Sequence, residues 1–339
     1  MLLQKWLGKN NSMYYNTNKW QQRSIVMLYT GCIIAAALSC HTTQKNMLSE
    51  KQRNNMANHS SSGDSILAPD AKLQLISDQF AFTEGAAVDK EGNVFFTDQP
   101  NNKIWQYSTA GKLSVFMDKS GRSNGMYFDN RDNLVTCADE HDQVWSITKN
   151  GKVSVLVTDF KGHRLNGPND LWVDAKGGMY LTDPYYQRDY WDRTQPDAAL
   201  AGEHLYYLHP DKLTLTIVDD NIVKPNGVVG TPDGKQLYAV DIGASLIYKY
   251  NINEDGSLSN RQLFVKQLAD GITLDDRGNL YCAGNGVTVY NKVGKQIAHI
   301  DVPEKWTANL CFGGKDKNTL YITASKSFYA IPTLVKGVE

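Results

Sequence analysis

Six oxygen-bearing side chains recur at one offset along this sequence. Glu84 stands 11 residues before Phe95, Asn124 11 before Val135, Asn169 11 before Tyr180 and Asp270 11 before Tyr281. Asn226 and Asn309 stand 12 before Tyr238 and Tyr321. Any one of them could cap a strand or close an Asx turn, as Asn and Asp do in many loops. Their shared offset argues for something collective. Carboxylates and amide carbonyls are hard oxygen donors, and no His or Cys stands at this level. The set therefore suits Ca²⁺, Mg²⁺ or Mn²⁺ better than a zinc site built on nitrogen or sulfur. Two of the six, Glu84 and Asp270, are carboxylates. Brought close together away from water, they must raise a pKa or take a counter-cation, and one divalent ion balances their charge. Glycine follows four of the six (Gly85, Gly125, Gly227, Gly271), as expected where backbones crowd.

The elements that must position these groups are short strands. Six segments carry a strand after a turn: GNVFFTD, DNLVTCAD, GGMYLTD, KQLYAVD, GNLYCAG and NTLYITA. Their anchors Phe95, Val135, Tyr180, Tyr238, Tyr281 and Tyr321 are separated by 40, 45, 58, 43 and 40 residues. Turn signals precede most anchors (Asp89-Lys-Glu-Gly92, Asp174-Ala-Lys-Gly177, Pro232-Asp-Gly234, Asp275-Asp-Arg-Gly278). Trp105, Trp145 and Tyr248 each follow their anchor by ten residues, marking a further strand. Strand, turn and strand at this period, without helical periodicity, describe a four-stranded blade. The expected fold is all-β, a six-bladed β-propeller of antiparallel blades forming one domain over 72–339. A β-sandwich is the alternative, but nothing in it calls for six repeats. The stretch Leu73 to Phe80 is expected to pair with the last strands and close the ring, removing free sheet edges. In a propeller the first strand of each blade is innermost, so the six offset residues should meet at the mouth of the central channel.

The chain has 339 residues with 41% hydrophobic content, enough for a substantial core, which excludes disorder of the whole. Lys and Arg number 35 against 36 Asp and Glu, so no basic excess is present to meet a nucleic acid. Ahead of the repeats, Arg23 precedes an apolar run from Ile25 to Leu38, short for a membrane span but suited to a signal peptide. The run ends Ala37-Leu38-Ser39-Cys40, which is similar to a bacterial lipoprotein cleavage site. The reading is a signal peptide over 1–40, a lipidated Cys40, a polar tether over 41–71, and an exported protein of the cell envelope (periplasm or outer membrane). An uncleaved membrane anchor is the other reading, and Met13 is a second candidate start. Cys137, Cys282 and Cys311 lie in apolar runs at no metal-ligand spacing and read as buried thiols.

Phe82-Thr-Glu84-Gly85, Leu165-Asn-Gly-Pro-Asn169-Asp170, Thr182-Asp183-Pro184, Pro225-Asn226-Gly227 and Ala269-Asp270-Gly271 occur in this order. From about Phe82 to Ile331 the sequence resembles the gluconolactonase/regucalcin (senescence marker protein) family. The resemblance implies a six-bladed propeller, as the spacing does, and a metal-dependent lactonase. It implies Glu84, Asn226 and Asp270 as metal ligands, with Asn169 as a further ligand or a substrate contact, and Asp270 as general base. Asn169 and Asp270 are thus the catalytic candidates. Ca²⁺ is the first expectation for the ion, with Mg²⁺, Mn²⁺ or Zn²⁺ as alternatives. The family commonly has Pro after Glu-Gly, where this chain has Ala86; no ligand is lost by that difference.

Lactone hydrolysis needs a polarised carbonyl and an activated water, and a divalent cation can serve both. No G-x-S-x-G elbow, P-loop or dinucleotide fingerprint offers competing chemistry. Substrate contacts are expected from Asn124, Asn169, Asp183, Tyr185 and Arg188. Asp183 has counterparts in Asp98 and Asp241, each three residues past its anchor, so a turn-building role is an equal reading. The long interval of 58 holds an insertion, PYYQRDYWDRTQPDAALAGE, on the face where the six residues gather. Its Tyr185, Tyr186, Tyr190 and Trp191 can stack on a sugar, and Arg188 and Arg193 can meet an anion. Equally, its aromatics can pack on a neighbouring blade. Lys161-Gly-His163-Arg164 rises on the same face, and His141 is a further residue near the mouth. Three functions remain open on these residues: a sugar-lactone hydrolase, a phosphotriesterase on the same site, and a non-catalytic binding propeller with a structural cation.

Overall fold

A computed structural model describes residues 65–338. The expected signal peptide, the expected lipidation at Cys40 and residues 41–64 of the expected tether lie outside the described residues. The strands form six four-stranded antiparallel sheets. Five are made of consecutive strands, beginning at Thr83, Ser123, Leu171, Pro225 and Ile272. The sixth takes Thr307–Gly313, Thr319–Ala324 and Ser327–Pro332 from the end of the chain, and Gln74–Ser77 from its start. Leu75 pairs with Tyr329 in this clasp. The molecule is therefore the six-bladed β-propeller that the repeat spacing predicts, closed by the segment expected to close it. Packing begins upstream of Lys72: Ile66 is buried among Leu320, Ile331 and Val335, and its carbonyl accepts the Leu334 N–H.

The anchors work as blade cores. Phe95, Val135, Tyr180, Tyr238, Tyr281 and Tyr321 are all buried. Between the first and sixth blades, the rings of Phe96 and Phe328 stack at 4.2 Å. Cys137, Cys282 and Cys311 are free, buried thiols in this apolar matter. Four of the hairpin turns share one geometry. The carboxylates of Asp89, Asp129, Asp174 and Asp275 each accept the N–H four residues on, at 2.8 Å. Such Asx-type bonds hold the hairpins and thereby fix the register of the first two strands.

Innermost strands run over Thr83–Val88, Ser123–Phe128, Leu171–Val173, Pro225–Gly230, Ile272–Leu274 and Thr307–Gly313. Neighbouring inner strands touch through backbone. Gly125 N–H donates to the Asn169 carbonyl at 2.7 Å, and Gly227 N–H to the Asp270 carbonyl at 3.1 Å. A Cβ on Gly227 would stand 2.3 Å from that carbonyl oxygen, so only glycine permits the approach. In the third and fifth blades the inner strand is short, and Asn169 and Asp270 stand two residues ahead of it. Both remain in register: Asn169 N–H donates to the Thr182 carbonyl and Asp270 N–H to the Ala283 carbonyl.

Candidate active site at the pole of the propeller

Glu84 enters the pole from the first blade, Asn226 from the fourth and Asp270 from the fifth, and all three are buried. The two carboxyls sense one another. Burial, then Asp270, then Asp170 push the Glu84 carboxyl well above its usual range, while the Gly85 N–H and Arg188 pull the other way. Asp270 is raised to about 6 by burial, against the opposing pull of the Trp306 and Asn226 hydrogen bonds and the Arg188 charge. Trp306 Nε1 donates to Asp270 Oδ2 at 2.6 Å, and Asn226 Nδ2 donates to the Tyr186 hydroxyl at 3.3 Å. The pole thus gathers two carboxyls, amides, an indole and a phenol around the mouth of the channel.

Asp170 belongs to the same cluster. Its carboxylate accepts the Leu171 N–H at 2.9 Å and is further bonded by the Val228 N–H and the Asn309 side chain. Burial lifts it to about 8, with Asp270 adding to the rise. Asn309 comes from the blade opposite, so this bond spans the axis. Asn124 and Asn169 are also buried at this level, and their carbonyls take Thr97 Oγ1 and the Gly125 N–H respectively. Among the described residues no cluster of three or more His, Cys, Asp or Glu side chains forms a metal site. The oxygen donors at the pole are the Glu84 and Asp270 carboxyls, the Asp170 carboxyl beside them and the surrounding amides.

Asp183 is fully buried below the insertion, and its oxygens accept the Asn166 and Gly167 N–H groups at 2.9 and 2.8 Å. Asp98 does the same for Ala81 and Phe82, and Asp241 for Val223 and Lys224. In three blades, then, this carboxylate clamps the segment that leads into the inner strand of its own blade.

The insertion combines both arrangements that its sequence allows. Its far part packs on the second blade, where Asp139 Oδ2 accepts Arg188 Nε at 2.8 Å, the Tyr190 hydroxyl at 2.6 Å and Gln99 Nε2 at 2.9 Å. Trp191 Nε1 donates to the Asp139 carbonyl, and Arg193 bonds Asp142 at 2.7 Å. His163 meets Asp197, and Arg164 meets Asp192, adding two more fastenings. Tyr185 turns into the loop itself, beside Trp191 and Arg193, with its hydroxyl on Gln187. His141 stacks on Trp145 at 5.3 Å. Tyr186 instead reaches the pole, flanked by the Arg188 guanidinium at 5.3 Å and the Lys224 ammonium at 4.6 Å from its ring centre. Burial raises its phenol, which keeps the hydroxyl protonated.

Sequence reasoning thus brings Glu84, Asn226 and Asp270 to one place, and the chain adds Asp170, Tyr186 and Trp306. Asp170 and Tyr186 stand in segments already marked by the motif and the insertion. Trp306 carries no signal beyond its place three residues before Asn309.

Comparison with known proteins bears on this arrangement. A family described as the SMP-30/Gluconolactonase/LRE-like region matches residues 82–326. A gluconolactonase of Zymomonas mobilis is 30% identical over 198 residues, covering 54% of this chain and 55% of that protein. The aligned part therefore spans about half the length of this curated relative. A solved gluconolactonase from Xanthomonas campestris superposes with a TM-score of 0.74 at 28% identity, over 81% of this chain and 93% of that one. A calcium-binding protein, regucalcin, from Agrobacterium tumefaciens shares the fold, with a TM-score of 0.66 at 18% identity over 79% of this chain and 95% of that one.

Proposed function

The chain belongs to the SMP-30/Gluconolactonase/LRE-like family, and from that premise we propose that it is a hydrolase opening sugar lactones at the pole of the propeller. One observation carries the reading: two buried carboxyls, Glu84 and Asp270, converge on the pole, where burial raises both and the Asp270 charge raises Glu84 further. A pair left in this state is costly unless a cation joins it. The donors are all oxygen, carry two negative charges when ionised and include an amide, so they fit a hard divalent ion. Glu84, Asn226 and Asp270 would hold the ion, which when bound would polarise a carbonyl and make its water more acidic. Ca²⁺ is the ion proposed, in line with the calcium-binding neighbour of the same fold.

The chain's own residues supply the remaining work. Asp270 is held by Trp306 and Asn226 in a fixed orientation, so its carboxylate is placed to take a proton from the attacking water. Asn124 and Asn169 are buried at the same level, where their amides can bind substrate hydroxyls. Arg188 lies near enough to both carboxyls to lower their pKa values, and its charge suits the carboxylate of the opened product. Asp183 acts through the Asn166-Gly167 backbone, which it clamps ahead of Asn169.

The test is hydrolysis of δ-gluconolactone by chelator-treated protein, followed by titration with Ca²⁺. Activity should vanish on chelation and return with the ion. Glu84→Gln and Asp270→Asn should each lower kcat/KM by about 100-fold or more, in the range seen when a charge-stabilising or proton-accepting group is lost. Full activity in both variants, or turnover of phosphotriesters but no lactone, would overturn the assignment.

A further inference from the structure

We propose that Tyr186 is a substrate-contacting hydrogen-bond donor, delivered to the pole by an insertion that the second blade pins in place. This rests on the lactonase reading and deepens it. Three observations lead to it. The phenol oxygen already accepts a bond from Asn226 Nδ2 at 3.3 Å, so its own proton is free to point elsewhere, and Asp270 is near enough to act on it electrostatically. The ring is fixed from two sides of the loop, by Arg188 at 5.3 Å and by Lys224 at 4.6 Å. Lys224 is itself anchored on Glu203 at 2.8 Å and on the Tyr185 carbonyl.

The insertion is rigidly held for a loop of its length. Arg188, Tyr190 and Gln99 converge on one oxygen of Asp139, and Trp191 takes the Asp139 backbone carbonyl. Gly167 makes room for this seat: a Cβ there would lie 2.8 Å from the Trp191 ring and 2.9 Å from Asp139 Oδ1. Such a seat leaves Tyr186 little freedom of its own, which is what a directional donor requires.

When water adds to the lactone carbonyl, its carbon gains a bond to the water oxygen, the water proton passes to Asp270 and the C=O π pair becomes negative charge on the carbonyl oxygen. As the carbonyl re-forms, the ring C–O bond breaks and the ring oxygen takes up a proton as a hydroxyl. A pre-placed O–H aimed at the carbonyl oxygen favours the charged state over the ground state, with no proton leaving the phenol. Tyr190 touches no substrate in this scheme. It is a positioning residue, acting on Tyr186 through Asp139 and Arg188.

Three variants decide the matter, assayed on δ-gluconolactone with melting curves to verify folding. Tyr186→Phe should lower kcat by about 100-fold or more with KM changed less than about threefold, as for loss of one oxyanion donor. Tyr190→Phe should lower kcat by a smaller factor with KM little changed, and its effect should disappear in the Tyr186→Phe background, since residues acting through one another are not additive. Wild-type kcat in Tyr186→Phe, or additive effects in the double variant, would overturn the proposal. If Tyr186→Phe does not fold, Tyr190→Phe must still show the kcat effect, and its absence counts against the proposal. If the wild-type protein opens no lactone, the functional reading fails on its own. Binding of D-gluconate then decides about Tyr186: a loss of about tenfold or more in Tyr186→Phe supports the contact, and equal binding removes it.

Discussion

Asp170 stands one position after the asparagine that the repeat marks, and its carboxyl is bonded to Leu171, Val228 and Asn309. Burial holds it at about 8 in the folded protein, against an ordinary value of 3.8. The folded state thus keeps a proton that the unfolded chain has already released. Stability from this group is complete below about 3.8 and is lost as pH rises towards about 8. Chelator-treated protein should melt at progressively lower temperature across that window, and Asp170→Asn should flatten the decline. An unchanged slope in the variant would show that the carboxyl is not held protonated. The offset rule names one residue per blade, so it selected Asn169 and left its neighbour aside. What distinguishes Asp170 is a bond to the opposite blade through Asn309; repeat order sets which blades face one another, but not which side chains meet across the axis.

The inner strands show how far local pattern reaches. Turn residues, alternating anchors and the glycines after the site residues were legible because each obeys a rule acting within a few residues. Hairpin Asx bonds and the short Gly227 to Asp270 contact are the physical content of those rules. Gly227→Ala would place a methyl 2.3 Å from the Asp270 carbonyl oxygen and push the fourth and fifth inner strands apart. A cost of about 1–3 kcal/mol is expected for such overpacking. Activity should fall further than the lost stability explains, because Asn226 and Asp270 sit on the two displaced strands. Denaturant unfolding and lactone turnover measured together would check this, and a variant unstable but fully active would contradict it. The insertion was placed on the correct face by topology, yet its seat on Asp139 was hidden. That seat joins residues of different blades, and its charges and aromatics could as well have faced a ligand.

At the scale of the whole ring, each blade buries its core against the next, so a gap anywhere exposes two blade faces. The clasp between Gln74–Ser77 and Ser327–Pro332 is where such a gap would open. Removal of residues up to 79 should therefore lower the melting temperature markedly and promote association through the bared edge of Ser327–Pro332. A chain lacking only residues up to 64 is the comparison, since it keeps Ile66 in its pocket among Leu320 and Val335. Equal melting of the two chains would mean that the sixth blade is complete without its fourth strand. The same clasp also sets an order of events during synthesis. Leu75 leaves the ribosome long before its partner Tyr329, so its strand must wait, unpaired, until the hairpin of the sixth blade has been made. Closure of the ring is thus timed by the hairpin of the sixth blade, and a chain stalled shortly before that hairpin would hold five blades and an open wound for chaperones to guard.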